Sequence, residues 1–399
     1  MQDDLFGPLQ SPQSPQSPQA SQPHEPPAAP PPATGHRAAR AGSAVQPAHF
    51  DDTLRALAAQ LPATLRLGTS SWSYPGWADL VWDGVYSAQV LARNGLGAYA
   101  QHPLLRTVGI DRGFYRPLSA SDFARYAGQV PPDFRFVVKA PSMVTDALVR
   151  SQDGRGREAN PTFLNGELAA RHFTLPALEG LGARTGALVF QLSPLPWQQI
   201  ERLPDVLERL RAMLAAQPAL GAAPDAVLAV EVRDGAWLAP EHLEHFADVL
   251  ASTRATYCLG LHARMPPLSE QLPLLRRLWP GPLVARWNLN PVHGPHGYEQ
   301  AERLYAPYDR IHDPAPEDIA LLARTLAGVC GRGGHNAFVT ISNHAEGSAP
   351  LTARRLAEAV AAQATAQVAA QSAQHPPGAT VPPGCAGAPH PHSSLQAPP

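Results

Sequence analysis

The chain has 399 residues, 31 Lys plus Arg against 33 Asp plus Glu, a formal net charge of −2 and 44% apolar residues. That length suffices for one large core, and the charge balance shows no basic block of the kind a nucleic-acid-binding surface carries. Cys258, Cys330 and Cys385 are too few and too far apart for a disulfide framework or a zinc pair motif.

Residues 1–49 carry SPQSPQSPQ at 11–19 and PPAAPPP at 26–32, and residues 363–399 are rich in Ala and Pro. Such segments bury too little side chain to offset the entropy of ordering them, so both are expected to be disordered tails. A protein partner recruited through them is left open. The folded unit is expected over 50–362. No signal stretch and no apolar run of roughly 18 residues is present, which predicts a soluble, cytoplasmic protein without a membrane segment.

Within 50–362, eight short apolar runs alternate with Ala/Leu-rich stretches of helical period. They are TLRLG (64–68), LRTVGI (105–110), FRFVVK (134–139), GALVFQL (186–192), AVLAVEV (226–232), TYCLGLH (256–262), PLVARW (282–287) and AFVTIS (337–342). Apolar strands separated by helices predict a parallel sheet covered on both faces, and eight such units predict a closed TIM-like (β/α)8 barrel. The first run leads into GTSSWSYPGW, with no GxGxxG or GK[ST] phosphate loop, which argues against an open dinucleotide-binding sheet.

In a barrel, the C-terminal ends of the strands converge on one rim, where active sites sit. The polar residues at or just past those ends are Asp111, Lys139, Gln191, Glu231, Arg233, His262, Arg286, Asn288 and Asn343, with Trp72 and Tyr74 after the first strand. Singly, each reads as ordinary strand-end polarity. Together they predict a polar pocket, because charges after apolar strands are costly to desolvate unless paired. Arg233 and Arg286 offer rigid donor forks suited to carboxylate or phosphate, Lys139 adds a third cation, and Arg116 a further one. Glu231, His262 and Asp111 are the candidate acids and bases, although Glu231 serves equally well as a partner that orders Arg233. Trp72, Tyr74 and Tyr115 are candidate stacking surfaces. Asn343 and Glu346 lie in NHAEGSAP, where Gly347 allows close backbone approach and Ser348, ahead of Pro350, is placed to cap the last helix.

No cofactor motif is present. A divalent metal held by Asp111, Glu231, His262 and Glu346 is a minor alternative, disfavoured by the neighbouring cations. The expected function is chemistry by acid–base catalysis or hydrolysis on a small anionic or phosphorylated substrate. The competing expectation is a non-catalytic binding module for a phosphorylated metabolite or nucleic acid.

Several blocks together resemble the domain-of-unknown-function 72 proteins, the YecE-like family. GTSSWSYPGW (68–77) is similar to that family's opening GTSGWSYPGW, and TVGIDRGFYRPL (107–118) to its TVEINSTFYRLP. FRFVVKAP (134–141), LVFQLSP (188–194), VEVRDGAW (230–237) and ISNHAEGSAPLTARRL (341–356) follow in the family's order. The resemblance implies a TIM-barrel-like fold with a polar cavity and leaves activity open. It also marks departures: Gly109 stands for a glutamate, Asp111 for an asparagine, Asp234 for a histidine, and Ser342 and Thr352 for asparagines. Asp111 lies two residues beyond Gly109 on the same strand face and is the expected substitute for the missing carboxylate.

Overall fold

The computed structural model describes residues 44–150, 156–221 and 223–374. All eight apolar runs form strands: β1 (Leu65–Thr69), β2 (Leu105–Ile110), β3 (Arg135–Lys139), β4 (Thr185–Gln191), β5 (Val227–Glu231), β6 (Ala255–Leu261), β7 (Leu283–Trp287) and β8 (Ala337–Ile341). Each pairs in parallel with its sequence neighbours, and β1 pairs with β8, closing an eight-stranded barrel. The fold is a TIM-like α/β barrel.

Side chains alternate between the two faces of a strand, so one residue's direction fixes that of its whole strand. Val137, Ala187, Val189, Ala229, Cys258, Val284 and Phe338 form a buried cluster of their own, the packed lumen of the barrel. A far larger apolar cluster, including Leu188, Phe190, Val230, Leu259, Trp287 and Val339, fills the layer between strands and helices. Stepping two residues from the lumen cluster toward the C-terminal ends reaches Lys139, Gln191, Glu231, Arg286 and Thr340. Stepping the other way from Val137 reaches Arg135, whose Nε and Nη2 donate to Asp225 Oδ2 at 2.9 and 2.6 Å. Asn336 Nδ2 donates to Asp225 Oδ1 at 3.0 Å, so ion pairing closes the N-terminal end.

The outer layer includes α1 (Asp52–Gln60), α2 (Ala88–Asn94), α3 (Ala120–Ala127), α4 (Leu175–Leu181), α5 (Leu203–Ala215), α6 (Pro240–Ser252), α7 (Leu268–Arg277), α8 (Tyr298–Tyr305), α9 (Pro316–Leu326) and α10 (Ala349–Gln374). A short antiparallel pair, Leu148–Arg150 with Gly156–Ala159, leaves the barrel after β3. Two expected boundaries move. Val45, Ala48 and Phe50 are buried, and the Ala48 N–H donates to Val81 O at 2.9 Å, so ordered packing begins before residue 50. Its apolar residues, not the surrounding proline content, decide that segment. At the other end α10 runs to Gln374, twelve residues past the expected end, because its Ala-rich sequence favours helix. The tails at 1–43 and 375–399 lie outside the described residues. No helix among the described residues is long and apolar enough to cross a membrane.

Candidate active site

Four strands deliver one connected network to the C-terminal rim. Glu231, at the end of β5, is completely buried, and each of its oxygens meets an arginine: Oε1 lies 2.6 Å from Arg233 Nη2, and Oε2 lies 2.7 Å from Arg286 Nη1. Gln191 Oε1 accepts from both guanidiniums, at 3.0 Å from Arg233 and 2.9 Å from Arg286. Arg286 Nη2 donates to Asp111 Oδ2 at 2.6 Å. Asn288 Nδ2 reaches Glu231 Oε1 at 3.4 Å. Asp111, the expected stand-in for the missing carboxylate, therefore reaches the network from the end of β2. A side chain at 109 itself has no room, since a Cβ there would lie 2.6 Å from Ser70 O.

These contacts tune the charges. Burial pushes the Glu231 carboxyl up, but Arg233, Arg286 and Lys139 outweigh it and hold it below the usual carboxylate range. Burial works against the Arg286 cation, yet Asp111 and Glu231 raise its pKa and keep it charged. Lys139 has neither an ion pair nor a hydrogen bond among the described residues; its ammonium sits 3.6 Å from the centroid of the Phe114 ring. Burial lowers its pKa to about 8, with Arg286 and Arg233 lowering it further against the pull of Asp111.

His262 ends the β6 segment on the lumen side. Its Nδ1 accepts from the Arg264 N–H at 3.0 Å, so in the neutral ring the proton resides on Nε2. Burial, reinforced by Arg233, drives its pKa down to about 3. At neutral pH the ring is then uncharged, with Nε2–H as its donor. The wall continues through Tyr298 on α8, 5.7 Å from His262 between ring centroids, to His344 at 5.4 Å, Tyr308 at 5.7 Å from His344, and Tyr74 at 5.4 Å from Tyr308. Burial and the Asp111 charge push the Tyr74 hydroxyl up to about 12.

The structure thus brings together Asp111, Lys139, Gln191, Glu231, Arg233, His262, Arg286 and Asn288, with Tyr74 on the adjoining wall. It places the other expected residues elsewhere. Trp72 turns away into the helical layer, where its Nε1 donates to Leu91 O at 3.1 Å and its ring meets Tyr126 edge-on. Tyr115 is 60% exposed and Arg116 is exposed, both on the turn after β2. Asn343 opens the short 3-10 turn just past β8 and is buried against Trp77 and the start of α10. Its Oδ1 accepts from Trp77 Nε1 at 3.1 Å and from the Ala349 N–H at 2.9 Å. Asn343, not Ser348, supplies the side-chain acceptor at the start of α10; Ser348 Oγ is buried without a partner among the described residues. Glu346 is buried behind the rim, where Oε1 accepts from the Ala315 N–H at 2.6 Å and from Arg355 Nη1 at 2.5 Å. Gly347, at φ 118°, lets the Arg310 carbonyl approach to 2.6 Å from where a Cβ would stand, a close approach within the chain.

Glu346 is therefore not beside Glu231, and no group of three or more His, Cys, Asp or Glu residues suited to a metal occurs among the described residues. Thr340, Ser342, His344 and Tyr298 join the site without having been expected there. Counting in twos along β8 finds the first two; no motif announces Tyr298, eleven residues beyond the end of β7.

The family model described as "Protein of unknown function DUF72" matches residues 66–377. The chain belongs to the DUF72 family. A DUF72 family protein from Enterococcus faecalis has a crystal structure similar to this one, with 17% identity, a TM-score of 0.49, and 74% of this chain and 95% of that one covered. One from Thermotoga maritima is 19% identical, with a TM-score of 0.42, 74% of this chain and 98% of that one covered. No curated protein matches the chain.

Proposed function

We propose that the rim of this DUF72 barrel takes a small anionic or phosphorylated ligand and acts on it by acid–base chemistry or hydrolysis. The observation that carries this reading is donor capacity left unused in a cationic lumen. Arg233 is 8% exposed and its Nε has no hydrogen-bond partner among the described residues, nor does the hydroxyl of Thr340, beside Arg286 in the strand register. A buried donor without a partner costs about 1–3 kcal/mol, a cost that a bound oxyanion would remove. Lys139, Arg233 and Arg286 against Asp111 and Glu231 leave one positive charge in excess, with His262 neutral.

The electrostatics redistribute the expected roles. Glu231 has both oxygens committed to arginines and a depressed pKa, so it serves as the organiser of the cations. Asp111 binds Arg286 through Oδ2, and among the described residues its other oxygen meets no arginine, which makes that oxygen the candidate proton acceptor. His262 offers Nε2–H to developing negative charge, as neutral imidazoles do in other barrels.

The saturation of Glu231 also favours a second reading, a binding module without turnover. Calorimetric titration with phosphate and citrate, followed by a screen of phosphate esters for hydrolysis, separates the two. Anion binding with turnover supports the first reading, binding without turnover the second. No binding at low ionic strength overturns both.

A further inference from the structure

Lys139 is the sole lysine of the chain; the other 30 of its 31 Lys plus Arg residues are arginines. Among the described residues the ion pairs made by Lys or Arg all use a guanidinium, as at Arg66, Arg135, Arg233, Arg286 and Arg355. An arginine remains charged at any working pH, whereas a lysine is compact and can give up its proton to become a nucleophile. The single lysine stands at the C-terminal end of a barrel strand, on the lumen face, without an ion pair or hydrogen bond among the described residues. Its amine rests against the Phe114 ring, next to two arginines already fixed by Glu231 and Gln191.

We propose that Lys139 is the nucleophile of this site, forming an imine with the carbonyl carbon of a small anionic aldehyde or ketone whose carboxylate or phosphate is held by Arg233 and Arg286. The proposal rests on the anion-binding reading of the rim and adds the reacting group. The protonation state of the amine suits nucleophilic attack. With a pKa of about 8, roughly a tenth of it is neutral at pH 7, far more than for an ordinary lysine.

The step balances without an oxidant. Asp111 takes one proton from the ammonium, and the freed lone pair attacks the carbonyl carbon as the C=O π pair moves to oxygen. A second nitrogen proton passes to that oxygen and gives a neutral carbinolamine. The proton held by Asp111 then goes to the hydroxyl, which leaves as water while the nitrogen lone pair closes the C=N bond. Ammonium and carbonyl compound become a protonated imine and water.

The test uses the whole protein with sodium cyanoborohydride, which reduces an imine to a stable secondary amine. Pyruvate serves as the carboxylate probe and dihydroxyacetone phosphate as the phosphate probe. Intact mass and peptide mapping then locate the adduct. Only Lys139 and the chain's α-amine can react, so the α-amine is the internal measure of non-specific labelling. The proposal predicts saturable labelling of Lys139 at neutral pH, at least tenfold faster than the α-amine, suppressed by sulfate and absent in a Lys139→Met variant with an unchanged far-ultraviolet spectrum. Labelling by one probe and not the other assigns the anionic end. Lys139 unlabelled while phosphate binds by calorimetry overturns the imine and leaves the anion reading standing. Neither labelling nor binding overturns both. Labelling insensitive to sulfate keeps the nucleophile and removes the arginine anchor.

Discussion

Replacing Glu231 by Gln separates the organiser from the base. The amide keeps the size of the carboxylate but presents one acceptor and one NH2 group to two guanidiniums, so a donor must face a donor. Arg286 retains Asp111 and Gln191; Arg233 retains Gln191 and the Tyr298 hydroxyl. Removing one partner of a buried ion pair costs about 3–5 kcal/mol, and the contacts that remain put this case near the lower end, about 3 kcal/mol. For a folded unit of about 320 residues the unfolding entropy is roughly 0.7 kcal/mol per kelvin, which converts that loss into a fall in Tm of about 4–5 °C. Calorimetric melting at pH 7 measures it. The pH dependence has a definite sign. The folded carboxyl is held below its unfolded value, so its stabilisation is present above the ordinary carboxylate pKa and lost as pH falls through the folded one. The gap between the two proteins should persist from about pH 5 to 8 and close in acid. A variant that melts within about 1 °C of the parent at pH 7 refutes the organiser role.

Lys139→Met should remove a charge-burial penalty. The folded amine titrates below the unfolded one, so the parent should gain stability relative to the variant as pH rises from about 8 toward 10.5, by up to about 3 kcal/mol in denaturant melts. Asn343→Ala strands the Trp77 indole N–H and the Ala349 amide in a buried position, and should cost about 2–4 kcal/mol without changing phosphate affinity in calorimetry. Gly109→Ala drives a methyl against the Ser70 backbone and should lower thermal stability by about 1–3 kcal/mol; an unchanged Tm would show that the end of β1 yields.

The barrel was legible because burial on both faces writes eight apolar runs into the chain, and strand alternation does the rest. Residues in step with the lumen cluster, such as Gln191, Glu231 and Arg286, could be placed at the rim from position alone. Asn343 could not, since it sits past the end of β8 in a short turn that aims its side chain at Trp77 and the start of α10. Trp72 sits past the strand end, where alternation no longer governs and the loop turns its ring toward Tyr126. Tyr298 and Tyr308 reach the site from the segment after β7, and their approach depends on how that segment folds back. Which acid or base is usable was also hidden. The arginine contacts that commit Glu231, and the burial that keeps His262 neutral, are set by distances and not by spacing.

Whether the rim is built for an oxyanion is decided by a crystal structure of the protein grown or soaked with phosphate. The anion is expected in the lumen mouth, accepting from Arg233 Nε and facing Lys139, with the Glu231–Arg286–Asp111 contacts intact. Phosphate bound only elsewhere on the molecule, with the rim empty at saturating concentration, would contradict it.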